Sequence, residues 1–173
     1  MTALFETARL RMRLVTEADA PFYLDLVNQP SFYRFIGDRG IRTLDAAREA
    51  IVAGPVAMQA LHGFSLYLAV DKASGAPAGL CGLIRRDTLP GVDIGYAFLP
   101  AFWGTGLASE AVAATLEHAR TAIGLARLLA ITSPDNVASI RVLEKLGFAF
   151  ERLAHLSPDD TGTNIYALNL LPE

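Results

Sequence analysis

The stretch from Val92 to Thr132 constrains the fold more than any other part of the chain. It opens with VDIGYAFL, where Asp93, Gly95, Ala97 and Leu99 alternate with Ile94, Tyr96 and Phe98, the period-two pattern of a strand. Pro100 closes that run, and FWGTGLAS then places two glycines before a long helical pattern. From Gly106 to Ile123, residues Val112, Leu116, Ala119 and Ile123 share one helical face, with Glu110, Glu117 and Thr121 roughly opposite. LLAIT follows, nearly all apolar, as a strand covered on both faces has to be. Strand, helix and strand make a βαβ crossover, which sets the two strands parallel with a right-handed connection.

The flanking segments add strands that pair as hairpins. RLRMRLV alternates Leu10, Met12 and Leu14 with Arg9, Arg11 and Arg13, so it predicts a strand with one wet face. Thr16 and Asp19 have capping-box spacing and open a first helix that Pro30 ends. SFYRFIGDRG reads as an aromatic-rich loop, and Thr43 starts a second helical stretch through Leu61 with Gly54-Pro55 as its candidate break. FSLYLAV and GAPAGLCGLI, separated by DKASG, predict a hairpin. Ser133-Pro134 reads as an N-cap with Pro at the first helical position, opening DNVASIRVLEKL, which Gly147 stops. FAFERLAHL and NIYALNLL are two last strands around the acidic turn SPDDTG. The predicted order is β-α-α-β-β-β-α-β-α-β-β, a mixed sheet of six to seven strands flanked by about four helices, in the α/β (α+β) class. With no repeat and no linker, residues 1–173 are expected to form a single domain.

Composition narrows the function. Hydrophobic residues make up 52% and charged ones 19%, which argues for a packed core and against disorder. A net charge of −3 gives no global attraction to nucleic acid or to an anionic membrane, so neither is an expected partner. Glu117, His118, Arg120 and Arg127 interrupt the most apolar stretch, which argues against a membrane span. The N-terminus has no apolar signal-peptide core, and the single Cys81 cannot form an internal disulfide, so a cytoplasmic location is expected. Cys81, within AGLCGLIRR, reads as a small buried hydrophobe. His62, His118 and His155 are scattered, so no metal site is expected.

An anionic ligand therefore needs a local site, and the glycine turn is the candidate. A helix start presents orphan N–H groups and partial positive charge, and a glycine without Cβ lets an anion come close. A P-loop requires Lys-Ser/Thr after its last glycine, whereas Leu107-Ala108 stand here. A dinucleotide fingerprint requires a third glycine where Ser109 stands, and an acidic residue that the end of LLAIT lacks. Taken alone, WGTGLAS suits a ligand-free strand–turn–helix better than an anion site.

Three stretches together resemble the GNAT N-acetyltransferase superfamily. DIGYAFLPAFWGTGLASEAV resembles its fourth strand and pyrophosphate loop. Trp103 in the first loop slot is similar to the RimJ/RimL-like branch, which acetylates ribosomal-protein N-termini. TSPDNVASIRVLEKLGF and the opening ARLRMRLVTEADA resemble that branch as well. The resemblance implies acetyl-CoA as co-substrate, bound in a V-shaped gap between the strand ending at Leu99 and the parallel strand LLAIT. It implies that the backbone of Ala97, Phe98 and Leu99 pairs with the pantetheine arm. The backbone N–H groups of Gly104, Thr105, Gly106, Leu107, Ala108 and Ser109 would hold the pyrophosphate. Asn136 would hydrogen-bond the pantetheine chain, with Ser139 one helical turn on, facing the same gap.

The chemistry needs an unprotonated amine, and an alkyl ammonium ionises near pH ~10, so a base or water chain must take its proton. By resemblance Asp93 stands where family members carry a strand-four Glu and is the base candidate; an acidic residue on a solvent face, or one paired with Arg85 or Arg86, is the competing reading. Many family members place a Tyr before the Glu-Lys of the last helix to protonate the thiolate. Leu143 stands there, which leaves Ser139 as the substitute. Family specificity resides in the first two helices and the last hairpin. Phe32, Tyr33 and Phe35 are then candidates for an acceptor pocket, and Asp159 or Asp160 for attracting a cationic amine. The expected acceptor is a small-molecule amine or a protein N-terminus. A non-catalytic acyl-CoA-binding sensor or subunit of the same fold is the alternative, and a homodimer is compatible with either.

Overall fold

The computed structural model describes residues 2–172, and eight strands among them join in one mixed sheet. They are β1 (Phe5–Glu6), β2 (Leu10–Leu14), β3 (Leu66–Asp71), β4 (Pro77–Arg85), β5 (Val92–Phe98), β6 (Arg127–Thr132), β7 (Ala149–Ala154) and β8 (Thr163–Asn169). Their spatial order is β1-β2-β3-β4-β5-β6-β8-β7, antiparallel throughout except for the parallel pair β5–β6. That pair is the predicted crossover, linked by α5 (Leu107–His118) and its wider last turn, Ala119–Ile123. The sheet has one strand more than the predicted range, because Phe5–Glu6 form a two-residue strand too short to show a periodicity.

The helices lie on the two faces. α5 and α6 (Val137–Lys145) cover one, where Ile94, Phe98, Val112 and Leu143 are core residues of one cluster. α1 (Ala20–Val27) and α3 (Leu44–Ile51) cover the other, where Leu26 and Ile51 pack with Leu68 and Leu80. Val112 and Ala119 are fully buried, and Leu116 and Ile123 pack beside them, as the helical stripe predicted.

Four local expectations need correction. SFYRFIGDRG is not all loop: Pro30–Phe35 form α2, with Pro30 at its first position, where a missing N–H costs nothing. Gly54-Pro55 do not break the second helical stretch. α3 runs through a wide π-type turn, Val52–Val56, into α4 (Ala57–His62), and the wider turn accommodates the missing proline donor. The cap of α6 is Asn136, whose Oδ1 accepts from the Ser139 N–H at 3.2 Å, rather than Ser133, which hydrogen-bonds Asp135 in the preceding turn. Arg13 is not on a wet face, since it forms a buried pair with Asp19, N to O 2.7 Å. Asp19 also accepts the Thr16 N–H at 2.8 Å, the capping contact that the Thr16–Asp19 spacing predicted.

Candidate active site

The site begins where the sheet splits. All seven residues of β5 pair with β4, yet only Asp93 and Ile94 pair with β6, opposite Leu129 and Ala130. Beyond Ile94 the two parallel strands part, and a cleft of about 1080 Å³ opens between them and the helices above. Ala97, Phe98, Gly104, Gly106, Leu107, Ala108, Ser109, Asn136 and Ser139 all line it, so segments far apart in sequence meet at one place.

The glycine turn sits at the mouth of this cleft. Gly104 and Gly106 adopt φ of +72° and +81°, a left-handed backbone that residues with a Cβ rarely adopt. Gly106 is the N-cap of α5, so the N–H groups of Leu107, Ala108 and Ser109 are the orphan donors of its first turn. The turn is braced from behind. Arg9 donates to the Thr105 carbonyl at 2.7 Å and to Glu110 Oε2 at 2.7 Å, while Glu110 Oε1 accepts the Arg9 N–H at 2.9 Å. Trp103 clips it in front: its indole N–H donates to the Phe98 carbonyl at 2.8 Å.

These bonds revise the expected ligand contacts. The Phe98 carbonyl is already engaged by Trp103, and the Leu99 N–H donates to the Ala78 carbonyl at 2.9 Å. Leu99 and Thr105 do not line the cleft. The Leu99 side chain packs in the core beneath α1 and α3, and the Thr105 hydroxyl donates back to Phe102. Asn136 lines the cleft while its oxygen caps α6.

Asp93 is fully buried and lines the cleft. Its Oδ1 accepts from Arg86 Nε at 3.0 Å, and its Oδ2 has no partner. Burial pushes its carboxyl above the usual range, and the Arg86 guanidinium offsets part of that rise. Asp93 thus pairs with Arg86, as one sequence reading has it, and keeps one oxygen free. Among the described residues, the buried side-chain oxygens without a partner are Asp93 Oδ2 and Thr132 Oγ1, and both residues line this cleft. Buried polar groups are nearly always paired, so two orphans at one cavity mark a place meant for a polar guest.

On the other face of β5, Tyr96 Oη lies 2.6 Å from Ser139 Oγ and 3.2 Å from the Ser139 carbonyl. Burial pushes the phenol up to about 12. Sequence reasoning passed over Tyr96 because an aromatic in an alternating strand reads as core. Its position next to the last β5–β6 pair is a tertiary fact.

Towards the acceptor side, Phe32 and Phe35 line the cleft and Tyr33 does not. Helical spacing explains this, since positions 32, 35 and 36 share a face of α2 and position 33 turns away to donate to Asn28 Oδ1. Asp160 lines the cleft as well, but its carboxylate is committed to its own turn. It accepts from the N–H groups of Leu156 and Gly162 and from the Thr163 hydroxyl. Asp159 stays exposed at the rim. His118 stacks on Phe5 with centroids 4.5 Å apart, and burial lowers its pKa, consistent with packing. Cys81 is buried against Thr115, its thiol pushed up to about 12 by burial. Among the described residues no group of three or more His, Cys, Asp or Glu is placed to hold a metal ion, and no helix is long and apolar enough to cross a membrane.

A mixed sheet that splits between two parallel strands, with a glycine-capped helix start at its mouth, makes a cleft suited to an extended anionic ligand, and comparison with known proteins gives the family. Residues 9–149 match the acetyltransferase (GNAT) domain, and the chain belongs to that family. It is an N-acetyltransferase. YkkB of Bacillus subtilis (strain 168) is 30% identical over 149 residues, 84% of this chain and 85% of that one. YoaA of the same organism, described as an uncharacterized N-acetyltransferase, is 26% identical over 174 residues, covering 97% of each. Among solved structures, RimL, a ribosomal L7/L12 α-N-protein acetyltransferase in complex with coenzyme A, superposes with a TM-score of 0.83 at 20% identity, covering 97% of this chain and 98% of its own.

Proposed function

We propose that this protein transfers an acetyl group from acetyl-CoA to a primary amine, by direct attack of the amine with both substrates bound. The observation that carries this reading is the pair of orphaned oxygens, Asp93 Oδ2 and Thr132 Oγ1, at the split of the sheet. The coenzyme A seen with RimL, which shares the fold, supports it. Acetyl-CoA supplies an activated acyl thioester when bound; the remaining work falls to this chain. The N–H groups of Gly104, Gly106, Leu107, Ala108 and Ser109 hold the pyrophosphate at the positive end of α5. The edge of β5 at Ala97 and Phe98, whose carbonyl Trp103 already holds, receives the pantetheine arm together with Asn136. Asp93, with a raised pKa and a free oxygen, takes the ammonium proton directly or through water. Ser139 faces the sulfur. Phe32 and Phe35 wall the acceptor side, and Asp159 draws a cationic amine towards it.

The test is free-thiol release from acetyl-CoA with a panel of amino acids, polyamines, aminoglycosides and N-terminal peptides. Turnover of at least one amine is expected. Gly106→Glu, which puts a Cβ and a negative charge at φ +81°, is expected to weaken acetyl-CoA binding at least about tenfold. Absence of acetyl-CoA binding in the natural protein would sink the reading. Tight acetyl-CoA binding without turnover of any amine would overturn it as well.

A further inference from the structure

We propose that Tyr96 is a positioning residue for the departing thiolate, holding the Ser139 hydroxyl so that its proton faces the cleft. This rests on the acetyl-transfer reading and concerns the moment at which the carbon–sulfur bond breaks. Tyr96 comes from β5 just past its last pairing with β6, and Ser139 from the first turn of α6. Their contact ties the two walls of the split together, and both side chains line the cleft. A hydroxyl carries one proton and two lone pairs. The Tyr96 and Ser139 oxygens lie 2.6 Å apart, where either hydroxyl can donate, and the phenol also reaches the Ser139 carbonyl at 3.2 Å; a thiolate that accepts the serine proton selects the arrangement in which the phenol donates to Ser139 Oγ. The serine proton is then free to point at the cleft.

Strand alternation supports the division of labour. Asp93 and Tyr96 stand on opposite faces of β5, so the amine's proton is handled on one side and the leaving group on the other. Leu143, one turn along α6 from Ser139, is fully buried and has no polar atom. The phenol absent from the helix arrives instead from the neighbouring strand. Burial keeps that phenol protonated far above neutral pH, so it remains a donor throughout an assay.

The step balances without a proton leaving the pair. The amine nitrogen forms its bond to the acyl carbon and yields a proton to Asp93, which passes it to water. The carbon–sulfur bond breaks with its electron pair on sulfur. The thiolate accepts a hydrogen bond from Ser139 and takes its proton from water. A phenol ionising near 12 is too weak an acid to protonate outright a thiolate whose thiol ordinarily ionises near ~8.5.

Tyr96→Phe keeps the ring and removes the oxygen. With the fastest amine of the panel, kcat is expected to fall about tenfold while KM for acetyl-CoA stays within about twofold. The double variant Tyr96→Phe, Ser139→Ala should be no slower than Ser139→Ala alone, since the phenol acts through the serine. The decisive readout replaces acetyl-CoA with its selenoester, whose leaving selenolate needs less help. There the Tyr96→Phe loss should shrink towards none. Both esters are measured on the same protein sample, so any unfolded fraction cancels in the ratio. An equal loss with thioester and selenoester, or additive losses in the double variant, would overturn the proposal and leave Tyr96 a packing residue. Failure of the natural protein to turn over any amine would instead overturn the acetyl-transfer reading, and this inference with it.

Discussion

Asp93 concentrates the tension between stability and chemistry in one side chain. Its carboxyl is fully buried, only one oxygen is paired, and burial lifts its pKa above the ordinary 3.8. The folded state therefore holds the proton more tightly than the unfolded chain does. Between the ordinary and the raised value, stability falls as pH rises, and above the raised value the whole cost is present. Asp93→Asn removes a buried charge, and Arg86, about a third exposed, keeps its contact with water. The variant is thus expected to melt at a higher temperature than the natural protein at pH 7. The difference should vanish as pH drops below about 4, where Asp93 is protonated anyway. The same variant is expected to lose about a hundredfold in kcat/KM. Thermal melts across pH, set beside thiol-release rates, check both halves; a lower melting temperature at pH 7 would mean that the Arg86 pair outweighs the desolvation of the carboxylate.

At the scale of elements, the glycine turn is held in place by contacts that a local reading of WGTGLAS does not contain. Arg9, from the segment leading into β2, reaches the Thr105 carbonyl and Glu110, while Trp103 reaches back to Phe98. The Arg9–Glu110 pair is substantially exposed, with side-chain accessibilities of 47% and 21%, so its net contribution to stability is small, at most about 1 kcal/mol. Its value is geometric: the bonds pin the Thr105 carbonyl and the first turn of α5 to the segment before β2. Arg9→Gln is therefore expected to shift the melting temperature little while raising KM for acetyl-CoA severalfold, with kcat nearly unchanged. Initial-rate kinetics with a melt control test this, and a large fall in melting temperature with unchanged KM would reassign Arg9 to stability.

At the scale of the whole molecule, the parallel pair holds for two residues and then opens, so the sheet is two halves joined at Asp93 and Ile94. β5 keeps all its bonds to β4, and β6 keeps its bonds to β8, leaving unpaired edges that face each other across the cleft. A ligand that bridges those edges binds the folded state alone. Coenzyme A at about a hundredfold over its Kd is expected to stabilise the protein by about 2.7 kcal/mol. For a chain of this size that corresponds to a rise in melting temperature of roughly 5–11 °C. Hydrogen exchange should slow at the β5 and β6 edges beyond Ile94, and slowing confined to the α5 start would mean that the pyrophosphate alone is held.

Much of this architecture was legible from local pattern. The strand VDIGYAFL, the stripe from Val112 to Ile123 and the apolar LLAIT each carry their own periodicity, and their order implies a right-handed parallel crossover wherever the chain folds. The glycines at 104 and 106 were legible for the same reason, because a left-handed backbone leaves its mark in residue type. Short or non-local features were not. Phe5–Glu6 is too short for a period, α2 begins behind a proline that also reads as a stop, and the cap of α6 falls on Asn136 two residues after another plausible cap. The site divides along the same line. Asn136, Ser139 and the glycine turn announce themselves by type and spacing. That Tyr33 turns away while Phe32 and Phe35 face the cleft, that Asp160 is spent on its own turn, and that Tyr96 meets Ser139 depend on which groups other elements bring alongside. Sequence alone determined the longer elements and the expected hand of their crossover, since both follow from residues near one another in the chain. Where β5 and β6 part, and which oxygens are left without partners there, only the packed structure decided, because pairing and burial depend on residues far apart in sequence.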